Sequence, residues 1–198
     1  MNQKLSIALL GGTFDPIHNG HVQIAEAVIE QLPINQVWFV PAADPPHKNK
    51  TMFSFAQRIE FIKEVISGWN SNTRDRVFVY EKDFRKSDKS YTIYLIEDLQ
   101  THYPNYNFSF IIGADNVIKL KTWLKYDELI DKIDLLVINR EIDDKSDWVN
   151  LEYYNKLKFI NMPQMDISSS EIRNMIENKE DISRFVPFRS VDVLIDTP

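Results

Sequence analysis

The residues best suited to chemistry lie in one short stretch near the N-terminus. Residues 11–21 read GGTFDPIHNGH, and His18 and His21 are three positions apart. Residues at this spacing share one face of a helix, so both imidazoles can point at one place near a helix start. The amides of such a start attract anions, and Asn19 is of a type that caps it. Because an imidazole can donate to a phosphate oxygen, the stretch predicts a phosphate site.

The glycines of this stretch, Gly11 and Gly12, would let the backbone approach a ligand closely. The pattern is neither the GxGxxG of dinucleotide-binding folds nor a P-loop ending in GK[ST]. Zinc at His18 and His21 is disfavoured, because the chain has no Cys and Asp15 is the only acidic side chain nearby in the loop. We therefore expect a phosphate-binding loop of another kind, without a protein metal site.

A second helix start of interest is predicted at residues 167–173, which read ISSSEIR. Ser168 and Glu171 have the spacing of a capping box. Arg173 lies near the N-terminal end of this helix, where the helix dipole disfavours a cation unless an anion is bound. From these residues alone, a phosphate ligand and a solvated surface arginine are equally good interpretations of Arg173.

Two loops carry further donors. Residues 44–48 read DPPHK, in which two prolines stiffen the loop and present His47 and Lys48 to a phosphate. Ser90, Tyr91 and Thr92 begin another predicted helix after the basic run of residues 82–89, so this start suits an anion such as a carboxylate. A solvated loop and a simple helix cap are the alternative interpretations.

The sequence GADN at residues 113–116 follows a predicted strand and is succeeded by Trp123. Asp115 would stand just beyond the strand end, where polar side chains reach ligands in parallel sheets. Trp123 offers a flat face on which a heteroaromatic ring could stack, although core packing is the default role of a tryptophan.

The elements that must position these residues alternate along the chain. Short runs rich in β-branched and aromatic residues predict strands at residues 5–10, 36–41, 77–80, 108–112, 135–139 and 157–161. Apolar residues at helical spacing predict helices over residues 24–32, 55–66 and 93–99. We expect an α/β fold of the Rossmann-like type, a doubly wound parallel sheet with helices on both faces and a small C-terminal helical segment.

Length and composition set the broad class. With 198 residues and no linker-like segment, the chain is expected to form a single domain over residues 1–198. Its net charge of −6 leaves no excess of cations to follow a nucleic acid, so no nucleic-acid partner is expected. No apolar run approaches the roughly 18 residues of a membrane span. We expect a soluble, cytoplasmic protein without a membrane partner.

The loop GGTFDPIHNGH resembles the signature of the nucleotidylyltransferase superfamily, whose HxGH is similar to the HIGH motif of class I aminoacyl-tRNA synthetases. ISSSEIR is similar to the ISSTxIR motif that closes the ATP site of that superfamily. The resemblance implies that Ser169, Ser170 and Arg173 face the ATP phosphates, with Ser170 standing where the family usually has Thr. A tRNA synthetase is disfavoured by the short acidic chain, which has no KMSKS sequence.

Further segments occur in the order found in bacterial nicotinate-nucleotide adenylyltransferases, namely PPHK, SYT, GADN with the following Trp, NR and ISSSEIR. This resemblance implies adenylyl transfer from ATP to nicotinate mononucleotide, giving deamido-NAD and pyrophosphate. Mg²⁺ would be carried with ATP, and no tightly bound cofactor is expected. The partners are then the two small substrates, and a homo-oligomer is compatible with the sequence.

The resemblance assigns roles by position. The catalytic groups are His18, His21 and Arg173. The ATP-binding residues are Gly11, Gly12, Thr13, Phe14, His18, His21, Gly113, Asp115, Asn139, Arg140, Ser169, Ser170 and Arg173. The acceptor-binding residues are His47, Lys48, Tyr91, Thr92 and Trp123, in which Tyr91 and Thr92 lie by the nicotinate carboxylate and Trp123 stacks on the pyridine ring.

Three positions depart from the family pattern. Tyr94 stands where the family often has Asp, the turn after Arg140 lacks the usual Pro and Gly, and the sequence stops at Pro198 before the customary Leu-Tyr. Two alternatives stay open: another nucleotidylyltransferase with a small acceptor, such as phosphopantetheine adenylyltransferase, and a non-enzymatic nucleotide-binding module.

Overall fold

A computed structural model describes residues 4–45, 50–86, 89–139, 148–163 and 167–187. The strands are β1 (Leu5–Gly12), β2 (Gln36–Pro41), β3 (Val77–Val79), β4 (Tyr106–Gly113), β5 (Asp134–Asn139) and β6 (Leu157–Asn161). The α-helices are α1 (Asn19–Gln31), α2 (Phe55–Ser67), α3 (Ser71–Arg74), α4 (Thr92–His102), α5 (Ala114–Lys119), α6 (Tyr126–Lys132) and α7 (Ser169–Glu177). Two short 3₁₀ helices cover Leu120–Thr122 and Tyr154–Lys156.

All the strands of the described chain join one parallel sheet in the order β3-β2-β1-β4-β5-β6. The chain moves outward in one direction from β1 to β3, returns to the centre, and then moves outward in the other direction from β4 to β6. The order therefore reverses between β1 and β4, where ligands bind in sheets of this type. The predicted Rossmann-like fold is confirmed.

The core lies on both faces of the sheet, because successive side chains of a strand point to opposite faces. On β1, Ala8 and Leu10 join the apolar cluster that α1, α2 and α7 cover. Ile7 and Leu9 join the cluster that α4, α5 and α6 cover. All four side chains are buried, which explains why β1 reads as a continuous apolar run.

The glycines after the first apolar run belong to β1 itself, which extends to Gly12 rather than ending at residue 10. Glycine is required at both positions because neighbouring rings leave no room for a side chain. A Cβ on Gly11 would lie 2.5 Å from the ring of Phe110, and one on Gly12 would lie 3.0 Å from the ring of Phe14. Neither glycine has a positive φ, so close packing rather than backbone freedom requires glycine here.

Short helices α3, α5 and α6 were not predicted, since segments of four to seven residues are too short to show a helical period. In the part of the chain described above, no helix is long and apolar enough to cross a membrane.

Candidate active site

A cavity of about 290 Å³ opens at the carboxyl ends of the central strands, where the strand order reverses. Its lining combines parts of the predicted ATP-binding and acceptor-binding segments, whereas the described residues His18, His21, Asp115, Ser169, Ser170 and Arg173 are not among the lining residues. From the predicted sites it includes Gly11, Gly12, Thr13, Gly113, Tyr91, Thr92 and Trp123. The structure therefore brings together three segments that are up to about a hundred residues apart in sequence.

A larger hollow, of about 580 Å³, lies at the amino ends of the strands. Its lining includes Lys132 and Tyr103, which end α6 and follow α4. Helix C-termini carry the negative end of the helix dipole, which disfavours phosphate. The larger hollow is also lined by Lys4, Lys156 and Lys158, but it contains none of the predicted site residues that the structure describes. The smaller cavity is the better candidate for a nucleotide because it lies at the carboxyl ends of the strands and includes predicted site residues.

The two histidines of the first loop cap helix α1. His18 is the N-cap residue, and its Nδ1 accepts a hydrogen bond from the backbone N–H of Gly20 at 3.2 Å. The Nδ1 of His21 accepts from the backbone N–H of His18 at 3.3 Å. The ring centroids are 3.9 Å apart. The loop that carries these rings follows β1, so the rings stand beside the start of the helix that follows the central strand.

This arrangement decides which nitrogen can donate to a ligand. A neutral imidazole has one N–H donor and one acceptor nitrogen. Because Nδ1 of each ring accepts a backbone N–H, the neutral forms of His18 and His21 carry their proton on Nε2. Both rings therefore have the tautomer that hydrogen-bonds a phosphate oxygen through Nε2 while the helix start remains capped.

The expected N-cap at Asn19 is wrong by one residue. Asn19 is the first residue of α1, and its Nδ2 donates to the carbonyl of Arg184 at 2.9 Å. Its backbone N–H donates to the carbonyl of Phe185, also at 2.9 Å. The imidazole of His18 supplies the capping acceptor, which leaves the Asn19 amide to hold the C-terminal segment against the start of α1.

Phe14 packs against the ring of His21. It has a φ of 50°, an uncommon value for a residue other than glycine, and its side chain is only 1% exposed. Its ring packs edge-on against His21, with 4.8 Å between the ring centroids, and against Phe39. The ring is thus part of the core, so a contact of Phe14 with ATP would have to come from its backbone.

Arg173 reaches the first loop from α7. Its Nη1 donates to the carbonyl of Asp15 at 2.8 Å and lies 3.7 Å from a carboxylate oxygen of the same residue, while Nη2 donates to Ser170 Oγ. Asp15 is 1% exposed and accepts from the backbone N–H groups of Met52 and Phe53. In addition to Glu171 in the first turn of the same helix, the structure places the carboxylate of Asp15 beside this cation.

The start of α7 is tied to the same loop. Ser168 caps the helix by accepting from the backbone N–H of Glu171, which is one of the two bonds of the predicted capping box. The Glu171 carboxylate accepts from the Ser168 hydroxyl at 2.7 Å. The hydroxyl of Ser169 donates to the carbonyl of Pro16 at 3.0 Å, and Ser170 is exposed. Two helix N-termini, those of α1 and α7, therefore meet at residues 15–21, which concentrates positive potential on this loop.

The acceptor side centres on the start of α4. Tyr91 is the N-cap residue, no described side chain caps the helix, and no acidic residue lies in its first turn. Ser90, Tyr91 and Thr92 all line the cavity. The first-turn amides of an eleven-residue helix thus lie beside the cavity, where they favour an anion.

The basic run before α4 does not add free positive charge, contrary to the expectation. Each of its four cations has a carboxylate partner within 3.0 Å, which cancels its charge locally. The pairs are Lys82 with Asp98, Arg85 with Asp83, Lys86 with Glu97, and Lys89 with Asp44. The amides of the α4 start, rather than this run, are left to attract an anion.

In the GADN segment, Gly113 lines the cavity, and the role of Asp115 stays a prediction. Asp115 lies in the first turn of α5, its side chain is 70% exposed, and it accepts from the side-chain amide of Asn116. Asn116, which sequence reasoning passed over, lines the cavity. Trp123 also lines it and packs edge-on against Phe110, with 6.0 Å between the ring centroids. That contact fixes the orientation of the indole.

Some predicted residues lie outside the described parts of the chain. They are His47, Lys48 and Arg140, and for Asn139 only the backbone at the end of β5 is described. Within the described ranges, no group of three His, Cys, Asp or Glu side chains is placed to hold a metal ion.

Sequence reasoning also missed Arg58, whose side chain is fully buried. It lies on α2 and donates to backbone carbonyls in both loops that follow β1 and β2. Burial lowers the pKa of its guanidinium, and the Asp15 carboxylate acts in the opposite direction. In the sequence, Arg58 looks like an ordinary surface residue of an amphipathic helix, so no local signal reveals this role.

Comparison with known proteins agrees with this geometry. The profile of the Cytidylyltransferase-like family matches residues 9–175. A protein of Exiguobacterium sibiricum named as a probable nicotinate-nucleotide adenylyltransferase is 34% identical over 183 residues, which are 92% of this chain and 92% of the relative. One of the same name from Bacillus licheniformis is 34% identical over 182 residues, 91% of this chain and 90% of the relative.

A solved structure gives the fold independently. The chain is similar to Plasmodium falciparum nicotinic acid mononucleotide adenylyltransferase complexed with NaAD, with a TM-score of 0.77 and 23% identity. The match covers 97% of this chain and 93% of that chain. Together with the family profile and the relatives above 30% identity, the shared architecture leads to one conclusion: the chain belongs to the nicotinate-nucleotide adenylyltransferases of the cytidylyltransferase-like family.

Proposed function

We propose that this protein transfers the adenylyl group of ATP to nicotinate mononucleotide, giving deamido-NAD and pyrophosphate. The observation that carries the proposal is the pair of imidazoles at the start of α1. Their Nδ1 atoms accept the helix amides, so both neutral rings have the Nε2–H tautomer. The two imidazoles are therefore a pair of N–H donors suited to phosphate oxygens, in a family that acts on nucleotides.

The reaction requires no covalent intermediate on the protein. An oxygen of the acceptor phosphate attacks the α-phosphorus of ATP, a new P–O bond forms on that side, and the bond to pyrophosphate breaks on the opposite side. The protein acts by holding two mutually repelling phosphates in line and by stabilising the charge that moves to the leaving group. His18 and His21 contact the phosphates near the reacting centre.

Arg173 and the start of α7 would hold the leaving pyrophosphate. Its guanidinium is already oriented by the Asp15 carbonyl and by Ser170, so little side-chain entropy is lost when a phosphate binds. The serine hydroxyls and first-turn amides of α7 add donors. His47 and Lys48 remain the sequence-based candidates for the acceptor phosphate.

The ring of the acceptor would occupy the cavity. The start of α4 favours the carboxylate of nicotinate over the neutral amide of nicotinamide, because helix amides and the helix dipole attract negative charge. Tyr91 and Thr92 stand at that start, and Trp123 presents its indole to the same cavity. Mg²⁺ would enter with the ATP phosphates, since a metal shared with substrate needs few protein ligands.

The test is release of pyrophosphate from Mg·ATP with one acceptor at a time. The expected result is strong release with nicotinate mononucleotide and much weaker release with nicotinamide mononucleotide or phosphopantetheine. Turnover of phosphopantetheine instead would keep the ATP site and overturn the acceptor assignment. ATP binding without release for any acceptor would favour the non-enzymatic module. A cytoplasmic location, a homo-oligomer, the absence of nucleic-acid binding and a single domain over residues 1–198 stay predictions.

A further inference from the structure

Arg58 is a fully buried cation, and each of its hydrogen bonds to the described residues goes to a backbone carbonyl. Its Nε donates to Phe53 O at 3.2 Å, and its Nη2 donates to Ala43 O at 3.3 Å. Its Nη1 donates both to Thr13 O at 2.5 Å and to Ala42 O at 2.9 Å. One guanidinium therefore joins three separate segments of the chain.

Two of these segments are the loops that carry the two substrates in the proposed function. Thr13 directly follows β1 and leads into the histidine loop, while Ala42 and Ala43 directly follow β2 and lead into residues 44–48. Because the same nitrogen bonds Thr13 and Ala42, their carbonyls are held at a spacing set by one planar group. The Ala42 N–H also donates to Gly12 O at 2.9 Å.

The segment after β2 is fixed from its other side as well. The Ser90 N–H donates to Asp44 O at 2.8 Å, and the Asp44 N–H donates to Ser90 Oγ at 3.1 Å. Lys89 adds an ion pair with the Asp44 carboxylate at 3.0 Å. Residues 42–44 are thus held between Arg58 and the start of α4, the helix that borders the acceptor cavity.

A buried arginine is a costly way to fill space, since well-packed apolar side chains often give equal or greater stability. What an apolar side chain cannot do is bond four carbonyls in fixed directions. Three of those carbonyls belong to the two substrate segments. Their placement indicates that the relative position of these segments, more than the stability of the fold, depends on Arg58.

We propose that Arg58 is a positioning residue that sets the distance between the ATP-binding loop and the acceptor loop, and thereby aligns the acceptor phosphate with the α-phosphorus. The inference rests on the proposed function. In-line transfer is sensitive to this distance, because displacing a reacting group by about 1 Å can cost on the order of 100-fold in rate. Each substrate is also held by residues outside the segments that Arg58 bonds, ATP by the start of α7 and the acceptor by the start of α4 and Trp123, so each should still bind by itself.

The test compares Arg58→Lys with a matched control, Arg76→Lys. Arg76 also donates to two backbone carbonyls, those of Ile34 and Asn35. These carbonyls precede β2 and so lie at the amino ends of the strands, away from the cavity. We expect Arg58→Lys to lower kcat at least tenfold per folded molecule, while the separately measured Kd values for ATP and for nicotinate mononucleotide change less than threefold. Arg76→Lys should keep kcat within about twofold.

The outcomes separate the two proposals. If the wild-type protein does not release pyrophosphate with nicotinate mononucleotide, the proposed function fails and this inference falls with it. If the wild-type protein is active and the two lysine variants have equal kcat after correction for the folded fraction, the positioning role of Arg58 is refuted while the proposed function stands.

A second variant covers the case in which Arg58→Lys does not fold. Asp44→Asn removes the partially exposed ion pair with Lys89 and loosens the same segment from its other side. It should fold normally and lower kcat about two- to fivefold without weakening ATP binding. If Arg58→Lys is unfolded and Asp44→Asn has wild-type kcat, the proposal is overturned.

Discussion

Replacing His18 by Asn and by Gln should separate its two roles. The oxygen of an asparagine side chain can take the place of Nδ1, which accepts the Gly20 N–H at 3.2 Å. Asparagine is also among the best N-cap residues, but it has no group at the position of Nε2. The longer glutamine side chain can place an N–H₂ donor near Nε2 and loses the capping acceptor.

The expected magnitudes follow from these two contacts. Loss of an N-cap costs about 1 kcal/mol, which lowers Tm by about 2–4 °C in a chain of this length. Loss of one donor to the charge of a transition state lowers kcat by roughly 100- to 1,000-fold. His18→Asn should therefore stay close to wild-type Tm and lose most of kcat, whereas His18→Gln should lose stability and retain more activity than His18→Asn.

The assay is pyrophosphate release at saturating Mg·ATP and nicotinate mononucleotide, paired with thermal unfolding of the same samples. Because His18 is only 6% exposed, both variants should lose some packing and have a slightly lower Tm than the wild type. The effect of the helix cap is therefore read from the difference in Tm between the two variants. A wild-type kcat in His18→Asn, or a lower kcat in His18→Gln than in His18→Asn, would refute the assignment of Nε2 as the phosphate donor.

Three further predictions concern packing, charge and the acceptor. Gly11→Ala should lower the free energy of unfolding by about 1–3 kcal/mol, because its Cβ would lie 2.5 Å from the ring of Phe110. Gly68→Ala is the control, since its Cβ would meet only backbone oxygens, the nearer at 3.5 Å. In the same denaturant titration, Gly68→Ala should be neutral or stabilising. Asp15→Asn should lower the free energy of unfolding by about 1–3 kcal/mol, because the N–H groups of Met52 and Phe53 bond different carboxylate oxygens and asparagine has an NH₂ donor in place of one of them. An unchanged value would contradict the buried role of Asp15. Trp123→Ala should raise KM for nicotinate mononucleotide severalfold and leave KM for ATP unchanged, and equal effects on both would exclude stacking on the acceptor.

Much of the fold was predictable because its signals are local. The six strands were located by short apolar runs with turn residues between them, and the long helices α1, α2 and α4 by their apolar spacing. The alternation of strands and helices along the chain also predicted a parallel sheet covered on both faces. The family and its reaction were predicted from motifs, and the relatives confirm the family.

The parts that could not be predicted depend on contacts between distant residues. The Asp15 partner of Arg173 lies 158 positions away, and Arg58 bonds Thr13 across 45 positions. His18 took the capping position expected of Asn19 because an imidazole Nδ1 can serve as the acceptor, which the residue-type preferences of helix caps do not suggest. Three of the four cations in the run of residues 82–89 looked free in sequence because their partners, Asp98, Glu97 and Asp44, lie on other elements.

The most direct measurement follows the label of ATP into the products. With nicotinate mononucleotide and ATP labelled at the α-phosphate, the account predicts that the label appears in a dinucleotide that contains AMP and the acceptor in a one-to-one ratio. With ATP labelled at the γ-phosphate, the label should appear only in pyrophosphate. Label from the γ-phosphate on the acceptor would indicate a kinase, and label from the α-phosphate on the protein would indicate a covalent intermediate; either result would contradict direct adenylyl transfer.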